Sequence, residues 1–434
     1  MNFSITTLGC KVNQYETQAM EQALTALGHV EVRPEEACDF CIVNTCTVTA
    51  VADKKNRNVI RRLRKLHPDA VLAVCGCYSQ IRPEDVRALG VDVISGSGDR
   101  TGFLDLVLTT VRDRQKRESV DVALHRHSFE ILPAGGLAAR TRAMLKVQDG
   151  CNNFCSYCII PYARGPVRSL PLAEAKVQAA ALAAEGYREI VVTGIEIASW
   201  GWDFRDGSRL TDLLTAILKT VPGVRVRLGS LDPRIIDEDF CRTLSGFSNL
   251  CPHFHLSLQS GSDAVLKRMN RKYNSARYYE GVELLNRYFP GCAVTTDLIT
   301  AFPGETEAEF AESLAFIRTC GLAAVHVFPY SRRPGTPADK LPGQHPKAVK
   351  EARSAAAIAA AAELNRSFRE AMVGSVQQVL FEETDGPDWT GHAPNSIRVY
   401  APGANLHNQV LPVRITALDR DGLRGVIQPK EEIK

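Results

Sequence analysis

Three cysteines, Cys151, Cys155 and Cys158, stand at a C-x3-C-x2-C spacing in CNNFCSYC, and no fourth cysteine follows nearby. Iron–sulfur cubes and structural zinc sites usually take four protein ligands. A zinc ribbon needs a second pair at similar spacing, yet the next cysteine is Cys241, and His253 and His255 are equally remote. Three thiolates with one open metal position point instead to a 4Fe–4S cube whose fourth iron binds something exchangeable. The triad follows directly on the strand-like run AMLKVQDG.

A second set is spread along the first hundred residues. Cys10 ends the run FSITTLG, Cys46 ends FCIVNT, and Cys77 comes just after AVLAV. If these runs are neighbouring parallel strands, their carboxyl ends share the edge at which open α/β sheets bind ligands. Three distant cysteines then converge on a second cluster, again with one free iron. Cys38 and Cys41 form a competing C-x-x-C pair, a tempting metal motif. They precede or enter their strand, however, and so belong to the opposite edge. Cys75 lies inside a strand and is expected to pack as a small apolar residue. Cys241, Cys251, Cys292 and Cys320 are expected in the core.

The elements that must position these thiols fall into three regions. Residues 1–128 alternate short apolar runs with helical patterns, ending in the strand VDVISG, which predicts β-α-β units and a parallel sheet. Residues 129–140 read as a linker rich in Gly, Pro and Ala. Residues 141–371 carry about six β/α units, predicting a full or partial β/α barrel with its chemistry on the loops after the strands. A long Ala-rich helix closes this region. Residues 372–434 switch to short β-type runs separated by Gly, Pro, Asn and Asp, which predicts a small antiparallel barrel. The expected class is therefore multidomain α/β: a Rossmann- or flavodoxin-like sheet, a TIM-like barrel and a small β-barrel.

GCNNFCSYCIIPYARG resembles the signature of the radical S-adenosylmethionine enzymes. In that family the cofactor's methionine part chelates the unligated iron, and an electron from the cluster splits its sulfonium to give a 5′-deoxyadenosyl radical. TLGCKVNQYETQAM, NTCTVTAVADKKNR and GCYSQ together resemble the methylthiotransferases, and the resemblance covers essentially the whole chain. It implies two 4Fe–4S clusters, S-adenosyl-L-methionine and a C-terminal RNA-binding TRAM domain. LGCKVNQYE and YCIIPYARG look most like the branch acting on N6-threonylcarbamoyladenosine next to the tRNA anticodon, which makes its 2-methylthio derivative. The isopentenyladenosine branch is the nearer competitor and a ribosomal-protein branch the more distant one. The resemblance also implies an external electron donor such as a flavodoxin or ferredoxin, and a sulfur donor. By the same resemblance Tyr157, Gly194, Glu196, Gln259, Ser260 and Asp297 line the cofactor cavity. Glu196 stands where the branch more often has histidine, and a carboxylate there suits the cofactor's ammonium. Ordinary strand ends and turns are the competing reading for these segments.

The net charge of +3 over 434 residues is too small to argue for a nucleic-acid partner, so any basic surface must be local. DKKNRNVIRRLRKLH supplies one, with Val59, Ile60, Leu63 and Leu66 at helical spacing facing the sheet. Lys54, Lys55, Arg57 and Arg61 on that helix, and Arg332 and Arg333 in SRRPGT, are the candidate RNA contacts. KRMNRKY adds charge. The opening MNFSITTLGC does not read as a signal peptide, and no apolar run of about 18 residues predicts a membrane span. The expected location is cytoplasmic, where thiols stay reduced. Thirteen cysteines, an odd number, speak against a disulfide framework. The rival from a different class is a non-catalytic zinc-containing RNA-binding protein.

Overall fold

The computed structural model describes residues 1–136 and 141–429. The end of the expected linker, residues 137–140, and the last five residues lie outside the described residues.

The first sheet contains β1 (Asn2–Thr7), β2 (Val30–Glu31), β3 (Phe40–Thr45), β4 (Val71–Gly76), β5 (Val93–Ser95) and β6 (Arg117–Ser119). Their order is β2-β1-β3-β4-β5-β6, and every pairing is parallel. FCIVNT and VLAVCG are buried along their whole length because helices cover both faces. Phe3, Phe40, Phe103 and Val107 form one layer, and Val43, Ile60, Leu63 and Tyr78 the other. The order is flavodoxin-like, which puts the ligand-binding switch point between β1 and β3. The basic helix spans Ala50–Leu66 and buries Asn56, Ile60 and Leu63. Leu66, expected on the packed face, is 43% exposed. The helix ends there, and the chain turns at His67.

The central region holds β7 (Arg142–Asp149), β8 (Arg168–Ser169), β9 (Glu189–Gly194), β10 (Arg225–Leu228), β11 (Ser230–Leu231), β12 (His253–Leu256), β13 (Ala293–Thr300) and β14 (Ala324–Pro329). They form two sheets, β10-β9-β7-β8 and β11-β12-β13-β14. Only Gly229 separates β10 from β11, so the parallel strands follow one another around a curved wall in chain order. Among the described residues β14 does not pair with β7, so the barrel is partial. The outer edge of β7 is taken by β8, which runs antiparallel to it. The Ala-rich helix Lys347–Ala371 packs on β13 and β14, with Ser354 bonded to Thr300 and Asn365 to the Ala323 carbonyl.

The last region closes into a five-stranded barrel ordered β15-β16-β17-β19-β18, with β15 (Val376–Asp385), β16 (Asp388–His392), β17 (Arg398–Pro402), β18 (Val410–Asp419) and β19 (Gly422–Ile427). It departs from the all-antiparallel expectation at one seam, where β17 and β19 pair in parallel. Their termini are joined through β18, so closure brings the two strands together in the same direction.

Candidate active site

Cys10 caps the helix Lys11–Ala26, Cys46 follows β3, and Cys77 opens the helix Cys77–Ile81 directly after β4. Because β1, β3 and β4 are neighbours, all three sit on one sheet edge, two of them at the switch point. Glycines make this convergence possible. Gly9 has φ +115, and a Cβ on it would lie 2.5 Å from Cβ of Cys46. Gly76 has φ +106, and its Cβ would lie 2.4 Å from the Thr45 carbonyl oxygen. Burial pushes the Cys46 thiol up to about 11, and the neighbouring Cys77 and Cys10 add to it. Burial likewise raises Cys77. A thiolate in such a place needs a cation to hold it, and iron supplies one. This donor set fits a cluster with three protein ligands.

The other triad lies on the loop after β7. Cys151 is anchored by its N–H to the Gly165 carbonyl (3.0 Å). The loop is clamped to the turn after the helix Asp263–Arg268: Ser156 N–H donates to the Met269 carbonyl (2.9 Å), and Asn270 Nδ2 donates to the Phe154 carbonyl (2.8 Å). Arg271 donates to the Cys155 sulfur at 3.2 Å. Burial pushes Cys151 and Cys158 up to about 12. KRMNRKY, read as extra surface charge, is therefore largely a clamp on this loop. Arg268 pairs with Glu309 at 2.7 Å and Arg271 reaches a thiol, while Lys267 and Lys272 stay exposed.

One residue ties the segment after the Cys151–Cys158 loop to a thiol of the other triad. Arg164, six residues after Cys158, donates through Nε to the Cys77 sulfur at 3.1 Å and through Nη2 to Asn13 Oδ1 at 2.8 Å. It also pairs with Glu16, which is fully buried and pairs with Lys146 (3.0 Å) and Arg100 (3.1 Å). Asp149 pairs with Lys146 at 2.7 Å and lies 3.5 Å from Arg164 and 3.6 Å from Arg168. Four cations face two carboxylates, so the thiol edge lies against an excess of positive charge that suits thiolates. A second bridge lies on the other side. Arg333 bonds Asp53 at 2.7 Å and also Thr47, next to Cys46, while its charge reaches Cys158.

The expected cavity residues divide. Glu196 lies between Asp232 and the Arg234 and Arg271 cations, and its N–H donates to Gln148 Oε1 (2.8 Å). Burial and the Asp232 charge raise its carboxyl to about 7. Gly194 ends β9 against the Gln148 carbonyl. Gln259 holds a left-handed φ of 68° and bonds through its N–H to the Asp297 carbonyl (2.9 Å). Asp297 lies 3.4 Å from His255 Nε2. Tyr157 packs edge-on against Phe302, with ring centroids 6.4 Å apart. Ser260 does not line the cavity: it is fully buried, with its hydroxyl shared with Ser313 (3.1 Å) and accepting from the Ser262 N–H (3.2 Å).

The basic residues divide too. Lys54, Lys55 and Arg61 are exposed on the helix Ala50–Leu66. Arg57 is half-buried and donates to the Tyr78 hydroxyl (3.1 Å). Arg332 is exposed and pairs with Asp339 (2.6 Å). Arg333 is a correction: it is 4% exposed, and its guanidinium is committed between the sheet and the barrel.

A cavity of about 600 Å³ lies between the starts of β12, β13 and β14 and the C-terminal barrel, and among the described residues none of the six triad cysteines lines it. Its wall includes Lys11 from the first region, His253, His255 and Asp297 from the barrel strands, and Arg398 and Asp421 from the C-terminal barrel. Burial and Arg227 keep His253 neutral, and its buried Nδ1 has no hydrogen-bond partner among the described residues. The histidine row, Arg164, Arg271 and the Glu16 network escape a reading of the sequence. Asn13 and Glu16 stand inside TLGCKVNQYETQAM and Arg164 inside GCNNFCSYCIIPYARG, but their partners lie up to about 150 residues away.

Residues 145–317 match the family model described as the radical SAM superfamily, and residues 2–96 match uncharacterized protein family UPF0004. A threonylcarbamoyladenosine tRNA methylthiotransferase of Bacillus subtilis is 38% identical over 417 residues, covering 94% of this chain and 92% of that protein. A tRNA-2-methylthio-N(6)-dimethylallyladenosine synthase of Acidothermus cellulolyticus is 34% identical over 394 residues, covering 88% of this chain and 78% of that protein. The solved structure of TsrM, a radical S-adenosylmethionine methyltransferase from Kitasatospora setae, superposes with a TM-score of 0.58 at 15% identity, covering 89% of this chain and 81% of that one. This last likeness is one of fold.

Proposed function

We infer the reaction from the family to which this chain belongs, the radical S-adenosylmethionine methylthiotransferases of tRNA. The enzyme converts N6-threonylcarbamoyladenosine next to the anticodon to its 2-methylthio derivative. The observation that carries this reading is that Arg164, six residues after the Cys151–Cys155–Cys158 motif, reaches across to bond the Cys77 sulfur and Glu16 of the first region. Two 4Fe–4S clusters together with S-adenosylmethionine supply the radical and the methylated sulfur.

We assign Cys151, Cys155 and Cys158 to the first cluster and Cys10, Cys46 and Cys77 to the second. Arg271 and Arg164 steady one thiolate in each triad by charge-assisted hydrogen bonds. Glu196 in its ionised form holds the cofactor's ammonium, with Gly194, Gln259, Asp297 and Tyr157 around it. In this reading residues 1–128 carry the auxiliary site, residues 141–371 the radical chemistry and residues 372–434 the RNA-binding barrel. A nucleotide flipped out of its loop would enter from the strand ends that carry the two triads. Lys54, Lys55 and Arg61 then take phosphates, with weaker roles for Arg57 and Arg332. No helix among the described residues is long and apolar enough to cross a membrane, and we place the enzyme in the cytoplasm with its tRNA. A flavodoxin or ferredoxin as reductant and a separate sulfur donor complete the scheme.

Mass spectrometry of tRNA nucleosides from a deletion strain tests it. The 2-methylthio-N6-threonylcarbamoyladenosine peak should vanish and its unmethylthiolated precursor should rise. Loss of the 2-methylthio-isopentenyl nucleoside instead would reassign the substrate. Persistence of both, in a strain without a paralogue, would refute the tRNA reading.

A further inference from the structure

The proposed iron–sulfur sites leave the Cys38–Cys41 pair unused, and the structure gives it a third member. Cys38 precedes β3, Cys41 is the second residue of β3, and His67 caps the helix Ala50–Leu66 just before β4. One ligand atom from each lies within 4.8 Å of the others, and the two sulfurs are 3.1 Å apart. Cys41 is 1% exposed and His67 9%, while Cys38 is half-buried. His67 Nε2 lies 2.8 Å from the Pro34 carbonyl oxygen. A carbonyl only accepts, so Nε2 carries the proton and Nδ1 keeps its lone pair. Metal-ligating histidines are held in this way. Cys41 and Cys46 stand five residues apart on one extended strand, about 17 Å. This cluster of side chains is therefore separate from the auxiliary site and lies at the opposite edge of the sheet.

We propose that Cys38, Cys41 and His67 bind one zinc ion, with solvent at the half-buried Cys38 side completing a tetrahedral set. Two thiolates and one imidazole are a zinc-type donor combination. Zn–S bonds of about 2.3 Å in tetrahedral geometry separate two sulfurs by about 3.8 Å. The pair must open from 3.1 Å by about 0.7 Å, which rotation of the half-buried Cys38 side chain supplies. Binding releases the two thiol protons to solvent, so the site carries no redox change. The ion ties the start of β3 to the end of the helix bearing Lys54, Lys55 and Arg61, and so fixes the angle at which that basic face meets solvent.

The test uses the full chain with its iron–sulfur clusters reconstituted anaerobically, so that the six proposed cluster cysteines are occupied. After equilibration with a small excess of Zn²⁺ and removal of loose metal, plasma mass spectrometry should find about one zinc per chain beside undiminished iron. Cys38→Ser and Cys41→Ser should each reduce zinc at least tenfold and leave iron unchanged. In the unmutated chain, a strong chelator should expose Cys38 and Cys41 together to alkylation, mapped by peptide mass. Three results would overturn the proposal: zinc below about a tenth per chain, zinc retained in both variants, or a Cys38–Cys41 disulfide in protein kept anaerobic throughout. Should a serine variant fail to fold, zinc content and alkylation of the unmutated chain decide the matter alone.

Discussion

At the scale of single residues, the charge of Glu196 is the sharpest variable. Its carboxyl is raised to about 7 by burial and by Asp232, so it stands ready to exchange a proton for a cationic ligand. Glu196→Gln keeps the shape and removes the charge. It should weaken S-adenosylmethionine binding by roughly ten- to a hundredfold, the value of a hydrogen bond to a charged partner. Equilibrium dialysis on protein with full iron content measures this. Unchanged affinity would move the ammonium contact elsewhere. The placing of Cys10, Cys46 and Cys77 after neighbouring strands was legible from sequence because their position after apolar runs carries the information. Arg164 and Arg271 were not, because an arginine's role is set by partners that the fold delivers from elsewhere in the chain. Arg333 was misread for the same reason: a charge in a turn reads as solvent-facing until a partner such as Asp53 arrives from across a domain boundary.

At the scale of elements, two predictions separate scaffold from surface. Gly76 occupies a backbone region closed to side chains, with Thr45 packed where a Cβ would stand. Gly76→Ala should spoil the turn that places Cys77, reducing iron from about eight to about four per chain. The split in readout matters, because cofactor cleavage at the remaining cluster should persist. On the helix Ala50–Leu66, changing Lys54, Lys55 and Arg61 together to Glu should weaken tRNA binding. The slope of log Kd against log salt should also fall by about one for each phosphate no longer neutralised. A slope equal to that of the unmutated protein would return this helix to an ordinary solvated face. The long strands and helices were readable from apolar periodicity. The strands β2, β6 and β8 were not, since two or three residues at a sheet edge carry no period. Nor was β16, whose DWTGH is too polar to register as a strand.

At the scale of the whole molecule, the order of regions was legible while their docking was not, because docking rests on isolated polar groups. The C-terminal barrel is held by Arg142 on Glu382, with which His392 of the same barrel also pairs, and by Arg227 on the Pro394 and Ala393 carbonyls. Burial disfavours the Glu382 carboxylate, but His392 and Arg142 outweigh it and hold its pKa at about 2. A depressed pKa means that the contribution is complete above the ordinary carboxylate range, and is lost as pH falls from about 4.5 toward 2. It amounts to about 3 kcal/mol at most. Limited proteolysis of the metal-free chain should show the barrel becoming detachable across that window, and Glu382→Gln should remove the pH step. Arg164 has one more consequence, which concerns how the molecule is made. A ribosome delivers Cys10, Cys46 and Cys77 long before residue 164 emerges. The guanidinium that steadies Cys77 is missing throughout that interval, so the auxiliary cofactor should be installed late, after translation has passed the central strands. Stalled nascent chains ending before residue 164 should accordingly hold iron less firmly than those ending after residue 371.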